Sequence, residues 1–309
     1  MPKRQATAED YIVPLDMNGL SGRMLHMPVP KGKKSEILFV YGQHSSLERW
    51  WGLLKYANRF AAVTAPDLPG FGGMESFYKI GEKPTLDNFA DYLAAFIKMR
   101  YRNRKVVVIG MSYGFAVVTR MLQRYPELVK NVRTLVSLVG LTRADEFTFN
   151  RQRYWFYRTL AWLMARRPLA LLFRYVCLNG PVLRATYHRT YIAKSKFKMA
   201  GSAEEHARMM DTEVELWHAN DVRTHAWSLH DLLTLDNTRK VIALPVWHID
   251  TESDQYFNHE RVIKHMKHVF KAVYTARAKL PNHAPSIIAD EEAAAALIPA
   301  KLRKALARL

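Results

Sequence analysis

Cysteine is almost absent. Cys177 is the only one in 309 residues, so no disulfide can form within the chain. That suits a reducing compartment. Long apolar runs are also missing. The longest, such as residues 168–173, fall far short of the roughly 20 residues that a spanning helix needs. Lys3 and Arg4 near the start are not followed by an apolar stretch of the secretory kind, and the expected location is cytoplasmic. No cluster with metal-ligand spacing, no P-loop and no dinucleotide fingerprint occurs, so no metal and no cofactor is expected. Acidic residues are scarce: 28 Asp and Glu face 46 Lys and Arg, a formal charge of +18. Between residues 143 and 198 there are twelve Lys and Arg, and only Asp145 and Glu146 oppose them. Such an imbalance suits an anionic membrane, nucleic acid or an acidic substrate, and equally plain solubility. No recognised nucleic-acid module accompanies the charge, so no specific nucleic-acid partner is expected. Nothing in the composition sets an oligomeric state.

What is present is an ordinary globular balance, 49% hydrophobic and 24% charged. Residues 11–17 and 20–27 read as a hairpin across Asn18-Gly19, a dipeptide that accepts the positive φ angles of a tight turn. Short apolar runs at 37–40, 61–65, 106–109 and 134–139 read as strands buried on both faces. Stretches with helical spacing lie between them at 47–60, 86–99 and 115–125. Strand and helix in alternation indicate a parallel sheet with helices on both faces. The pattern stops after Gly140. It resumes with a strand at 241–249, a helix at 259–270, a strand at 272–278 and a terminal helix at 290–309. The division expected is a core of residues 1–140 and 241–309, with a helical cap of residues 141–240 inserted after the sixth strand.

Gly110-Met111-Ser112-Tyr113-Gly114 directly follows the apolar run Val106-Val107-Val108-Ile109. A serine between a buried strand and a helix is held on a sharp turn with its hydroxyl exposed, and flanking glycines remove the Cβ atoms that would clash there. The following helix aims free N–H groups at the turn, where they favour developing negative charge.

Four segments, in order, resemble the α/β-hydrolase superfamily, in particular its lidded serine hydrolases. Phe39-Val40-Tyr41-Gly42-Gln43 is similar to the strand that ends in His-Gly, with Tyr41 in place of the histidine. Ala65-Pro66-Asp67-Leu68-Pro69-Gly70-Phe71-Gly72 is very similar to a turn of that family. Residues 110–114 match the nucleophile elbow, and residues 245–254 resemble the strand and loop that carry the catalytic acid. The resemblance covers about 36–140 and 241–309. It implies an α/β-hydrolase fold and a triad in the order Ser112, Asp254, His283. Asp250, Asp145 and Glu252 are the alternative acids. His44, His248 and His259 are the alternative bases. Oxyanion donors would be the backbone N–H groups of Gln43 and Tyr113, each contributing roughly 3 kcal/mol to lowering the barrier. A serine nucleophile disfavours the dehalogenase and epoxide-hydrolase branches and favours acyl-enzyme chemistry on an ester, amide, thioester or activated C–C bond.

Residues 151–178 interleave aromatics with arginines, which suits either a lid over an apolar acyl pocket or a helix lying in a membrane interface. Tyr41, His44 and Trp155 are candidate substrate contacts. The expected function is hydrolysis of a carboxylic ester of an apolar small-molecule acyl substrate, with peripheral contact to an anionic membrane as a candidate interaction. An aminopeptidase of the proline-iminopeptidase type is the rival, with Glu204, Glu205, Asp211, Glu213 and Glu215 as candidate grips for a free amine. A C–C bond hydrolase and a binding protein on a hydrolase scaffold are the others.

Overall fold

The computed structural model describes residues 6–189, 202–251, 254–278, 294–295 and 298–307. His283 and Glu252 lie outside them. Strands β1 (Ile12–Met17) and β2 (Leu20–Met27) form the hairpin, with Asn18 at φ 55° and Gly19 at φ 78° supplying the two left-handed positions of its turn. Then come β3 (Glu36–Val40), β4 (Ala62–Pro66), β5 (Val106–Met111), β6 (Val132–Leu138), β7 (Ile242–Thr251) and β8 (Phe270–Ala278). They make one sheet in the order β1-β2-β4-β3-β5-β6-β7-β8, antiparallel from β1 to β4 and parallel from β4 to β8. All six residues of β5 are buried, as a central strand covered on both faces requires.

The helices are α1 (Trp51–Asn58), α2 (Leu86–Arg100), α3 (Tyr113–Arg124), α4 (Arg151–Met164), α5 (Arg167–Val176), α6 (Gly180–Arg189), α7 (Ala203–Ala219), α8 (Val222–Leu233), α9 (His259–Val269) and α10 (Ala300–Ala307). Strand alternation decides what each face meets. Ile37, Phe39 and Ile109 face Leu53 and Ala57 of α1 and Leu302 of α10. Gly110, of opposite parity, lies beneath Phe115 of α3. The expected terminal helix from residue 290 does not run through. Among the described residues its last turns begin at Ala300, after Pro299, because proline has no N–H to donate and its ring crowds the preceding turn.

Between β6 and β7 the described residues form helices α4 to α8 and no strand. The ends of this insertion meet: Arg143 bridges Asp236, Ala144 N–H donates to the Leu235 carbonyl (2.9 Å), and Asn237 N–H donates to the Thr142 carbonyl (2.9 Å). Helix α4 packs on α8 and α5, and α6 on α7.

Candidate active site

Ser112 occupies φ 48°, ψ −117°, directly after β5 and directly before α3. A non-glycine residue in that region costs about 1–3 kcal/mol and persists only where its surroundings hold it. Here the Ser112 N–H donates to the Leu138 carbonyl at 2.9 Å, and the Ser112 carbonyl accepts from Phe115 N–H at 3.0 Å. Two glycines make the turn possible by close approach. A Cβ on Gly114 would lie 2.3 Å from the carbonyl oxygens of Val40 and Tyr41. A Cβ on Gly42 would lie 3.2 Å from the Ser112 Cβ, so the backbone of the loop after β3 runs alongside the serine side chain. Tyr113 is the first residue of α3, and an N–H there has no acceptor one turn back within the helix. The Gln43 side chain donates from Nε2 to the His225 carbonyl at 2.8 Å, which ties this loop to α8.

Tyr41 is fully buried. Its hydroxyl donates to Asp67 Oδ1 at 2.7 Å and accepts from Leu68 N–H at 2.8 Å. Asp67 also accepts from Arg23 Nε and from Gly73 N–H, each at 2.7 Å. Burial pushes the Asp67 carboxyl up to about 6, with the nearby Arg23 guanidinium as the largest opposing influence. The expectation of a substrate contact at Tyr41 is therefore corrected: its one polar atom is committed to the β3–β4 turn, inside the core. Trp155 also differs from a pocket residue. It lies on the outward side of α4, 51% exposed, with the Arg158 guanidinium 5.0 Å from its ring centroid.

His44 sits in the loop after β3 at φ 53°, buried, with its ring 4.2 Å from Trp217 and 5.0 Å from His225. Asn220 Oδ1 accepts from Gly72 N–H (2.8 Å), which orients the amide so that Nδ2 donates to His44 Nδ1 (3.1 Å). A neutral His44 then carries its proton on Nε2. These contacts from α7 and α8 were not visible in the sequence, because Trp217, Asn220 and His225 lie far along the chain. Only the cap at Asp221, whose Oδ1 accepts from Thr224 N–H at 2.7 Å, had a local signature.

Asp254 follows β7, and its Oδ1 accepts from the N–H groups of Tyr256 (2.8 Å) and Phe257 (3.1 Å). It lines a cavity of about 170 Å³ with Val139, Gly140, His248 and His259. Val139 directly follows Leu138, whose carbonyl holds the Ser112 backbone. Asp250 is engaged differently, by His259 Nδ1 at 2.8 Å and Arg277 at 3.2 Å. Asp145 lies beside Arg143 (3.8 Å) and His265 (3.7 Å). His248 is bonded to Ser137 Oγ at 2.9 Å, and burial followed by the nearby His259 lowers it to about 3. It stays neutral at physiological pH and is a poor proton acceptor. Of the acidic residues on α7, Glu213 is buried against the Tyr187 hydroxyl (2.9 Å) and Arg49 (4.0 Å), and Asp211 pairs with Arg184. Both carboxylates already carry partners. A larger cleft of about 600 Å³, lined by Arg143, Arg151, Arg158 and Arg261 over Phe147 and Phe149, includes the alternative acid Asp145 but, among the described residues, neither Ser112 nor Asp254.

Asp231, on α8 beside the buried Tyr113 side chain, is pushed up by burial from 3.8 to about 7. Between about pH 4 and 7 the folded carboxyl keeps a proton that the unfolded chain has released, so this group makes stability fall as pH rises through that window. Asp231→Asn is expected to remove the fall. Its melting temperature relative to the parent should increase from pH 4 to pH 8, and a constant difference across that range would refute the effect.

A family model described as α/β hydrolase fold matches residues 37–172. Over 105 residues the chain is 33% identical to Protein ABHD8 of Homo sapiens and of Bos taurus, covering 33% of this chain and 24% of each relative. The match thus spans about a quarter of the length of these curated relatives. Among solved structures, the enol-lactonase from Burkholderia xenovorans LB400 superposes with a TM-score of 0.66 at 12% identity, over 96% of this chain and 100% of that one. The esterase RhEst1 from Rhodococcus sp. ECU1013 gives 0.65 at 14% identity, over 97% and 99%. At such identities these structures show the fold. With the sheet order, the strained Ser112 and the match over residues 37–172 in agreement, the chain has the α/β-hydrolase fold.

Proposed function

We propose that this chain is a serine hydrolase that cleaves a carboxylic ester with an apolar acyl group. The observation that carries the reading is the backbone of Ser112, held in a strained conformation at the head of α3 with Gly42 passing beside its side chain. In the proposed cycle Ser112 Oγ attacks the ester carbonyl carbon as His283 takes its proton. The carbonyl oxygen becomes an oxyanion held by the N–H groups of Gln43 and Tyr113. Collapse expels the alcohol, which receives the proton from His283. Water then attacks the acyl-serine by the same route and releases the acid. His283 and Asp254 take their roles from the family resemblance, with Asp254 orienting the imidazole. The chain-order precedent supports that choice of acid over Asp250, which lines the same cavity as Asp254 and is occupied by Arg277 and His259.

An apolar acyl group is favoured by the aromatic side chains near the loop after β3, where Trp217 packs on His44 and Phe173 lies 6.2 Å from Trp217. Two of the structurally similar proteins are described as an esterase and an enol-lactonase, both of which act on ester bonds. The aminopeptidase reading is less favoured, since Asp211 and Glu213 already have cationic or hydroxyl partners.

The test is labelling by a fluorophosphonate, located by peptide mass spectrometry, together with turnover of p-nitrophenyl esters from acetate to laurate and of aminoacyl arylamides. Label on Ser112 and turnover of esters over arylamides are expected. Folded protein that takes no label and turns over no ester would refute the hydrolase reading, and preference for arylamides would transfer the activity to the aminopeptidase class.

A further inference from the structure

Helices α4 and α5 are turned inside out relative to an ordinary lid. A surface helix normally buries its apolar stripe. Here the only fully buried residues of the two helices are Ala161 and Ala170. Tyr154, Tyr157 and Phe173 pack inward, but many of the large apolar side chains face outward: Phe156 is 62% exposed, Trp162 46%, Leu172 60%, Tyr175 76% and Val176 56%. The two helices pack against each other and both lean on α8, so these side chains belong to neighbouring elements on the outside of the insertion. Surfaces of this kind mark contact sites.

The charge around them has one sign. No Asp or Glu occurs from residue 147 to residue 203, whereas Arg153, Arg166, Arg167 and Arg174 lie on or between α4 and α5. The Arg158 and Arg166 guanidinium groups lie 5.0 and 4.4 Å from the ring centroids of Trp155 and Trp162. Each pair joins an amphipathic ring that suits the boundary between hydrocarbon and water to a cation that can reach a headgroup. With 14 and 10 residues, α4 and α5 are too short to span a bilayer, and among the described residues no helix is long and apolar enough to cross one. Helices with this composition lie in the interface instead.

We propose that the outward faces of α4 and α5 form a docking surface for an anionic lipid bilayer, with Phe156, Leu172, Tyr175 and Val176 entering the acyl boundary and the arginines meeting the headgroups. Charge complementarity selects this occupant. A symmetric contact with a second copy would set a basic patch without acidic residues against itself. A nucleic acid would satisfy the arginines but leave Leu172 and Val176 in water.

The experiment is cosedimentation of the full chain with vesicles of phosphatidylcholine alone or mixed with phosphatidylglycerol, at low and high salt. Binding should favour the anionic vesicles. It should weaken with salt, as the screening length falls from about 8 Å at 0.15 M to about 3 Å at 1 M. Arg153→Gln, Arg166→Gln and Arg167→Gln together should reduce partitioning roughly 100-fold, at about five-fold for each arginine near the surface. Phe156→Ser with Leu172→Ser should abolish the salt-resistant part. Both sets change exposed positions, so turnover of a water-soluble ester should stay within about two-fold, which separates docking from catalysis. Brominated lipid should quench the tryptophan fluorescence of the unaltered chain, a readout that needs no variant. Equal pelleting with neutral and anionic vesicles, no pelleting with either, or absence of quenching would overturn the proposal. So would a concentration-dependent dimer that both variant sets disperse while lipid binding is unchanged.

Discussion

Ser112→Ala is expected to reduce ester turnover by on the order of 10⁶ in kcat, the scale at which loss of a serine nucleophile inactivates such machinery. The fold should remain intact. Ser112 holds its place through backbone hydrogen bonds to Leu138 and Phe115, and these do not involve the hydroxyl. Ser112→Gly separates chemistry from strain. It should be equally inactive, yet more stable than the alanine variant by about 1 kcal/mol, because glycine occupies φ 48°, ψ −117° without the Cβ conflict. Esterase assays and thermal melts of the parent and both variants measure this. Full activity in either variant would remove Ser112 from the mechanism, and a glycine variant no more stable than alanine would remove the strain.

Gly114→Ala should be the most damaging single-methyl change near the site. Helix propensity alone would favour alanine in α3 by roughly 1 kcal/mol. The contact decides against it: the new Cβ would stand 2.3 Å from two backbone carbonyl oxygens, those of Val40 and Tyr41, and no flexible side chain is available to yield. The expected net cost is about 3 kcal/mol, or a fall in melting temperature of roughly 5 °C for a chain of this size. Turnover of the folded fraction should fall as well, because any retreat of Tyr41 carries Gly42 and the Gln43 N–H away from Ser112. Gly180→Ala is the control. Among the described residues, no atom beyond its chain neighbours and its own helix backbone lies within 4 Å of its added Cβ, and its stability should change by less than about 0.5 kcal/mol. A Gly114 variant as stable as this control would show that α3 and the loop after β3 are not in close contact.

Much of the core was legible in the chain itself. Runs such as Val106-Val107-Val108-Ile109 are apolar on both faces and rich in β-branched residues, the pattern of a strand covered on both sides. Asn18-Gly19 specified the hairpin turn through its two positive φ angles, and the glycines around Ser112 marked a turn too tight for side chains. These are local properties, carried by a few consecutive residues. The position of Asp254 just after β7 agrees with the resemblance of residues 245–254 to the strand and loop that carry the acid in the α/β-hydrolases.

Other features depended on residues distant in sequence. Tyr41 resembled a substrate contact by its position, but its hydroxyl belongs to Asp67, 26 residues away, in a fully buried pair. His44 is oriented by Asn220 and packed against Trp217, across more than 170 residues. The aromatic residues of α4 and α5 were compatible with a lid or an interface, because periodicity reports that a face is apolar without saying what lies against it. Sequence alone thus determined the strands and the tight turn at Ser112, through local backbone preference and burial pattern. Only the tertiary structure decided which polar groups are already satisfied by one another and that the aromatic faces of α4 and α5 point outward, because both depend on which distant segments come to share the same space.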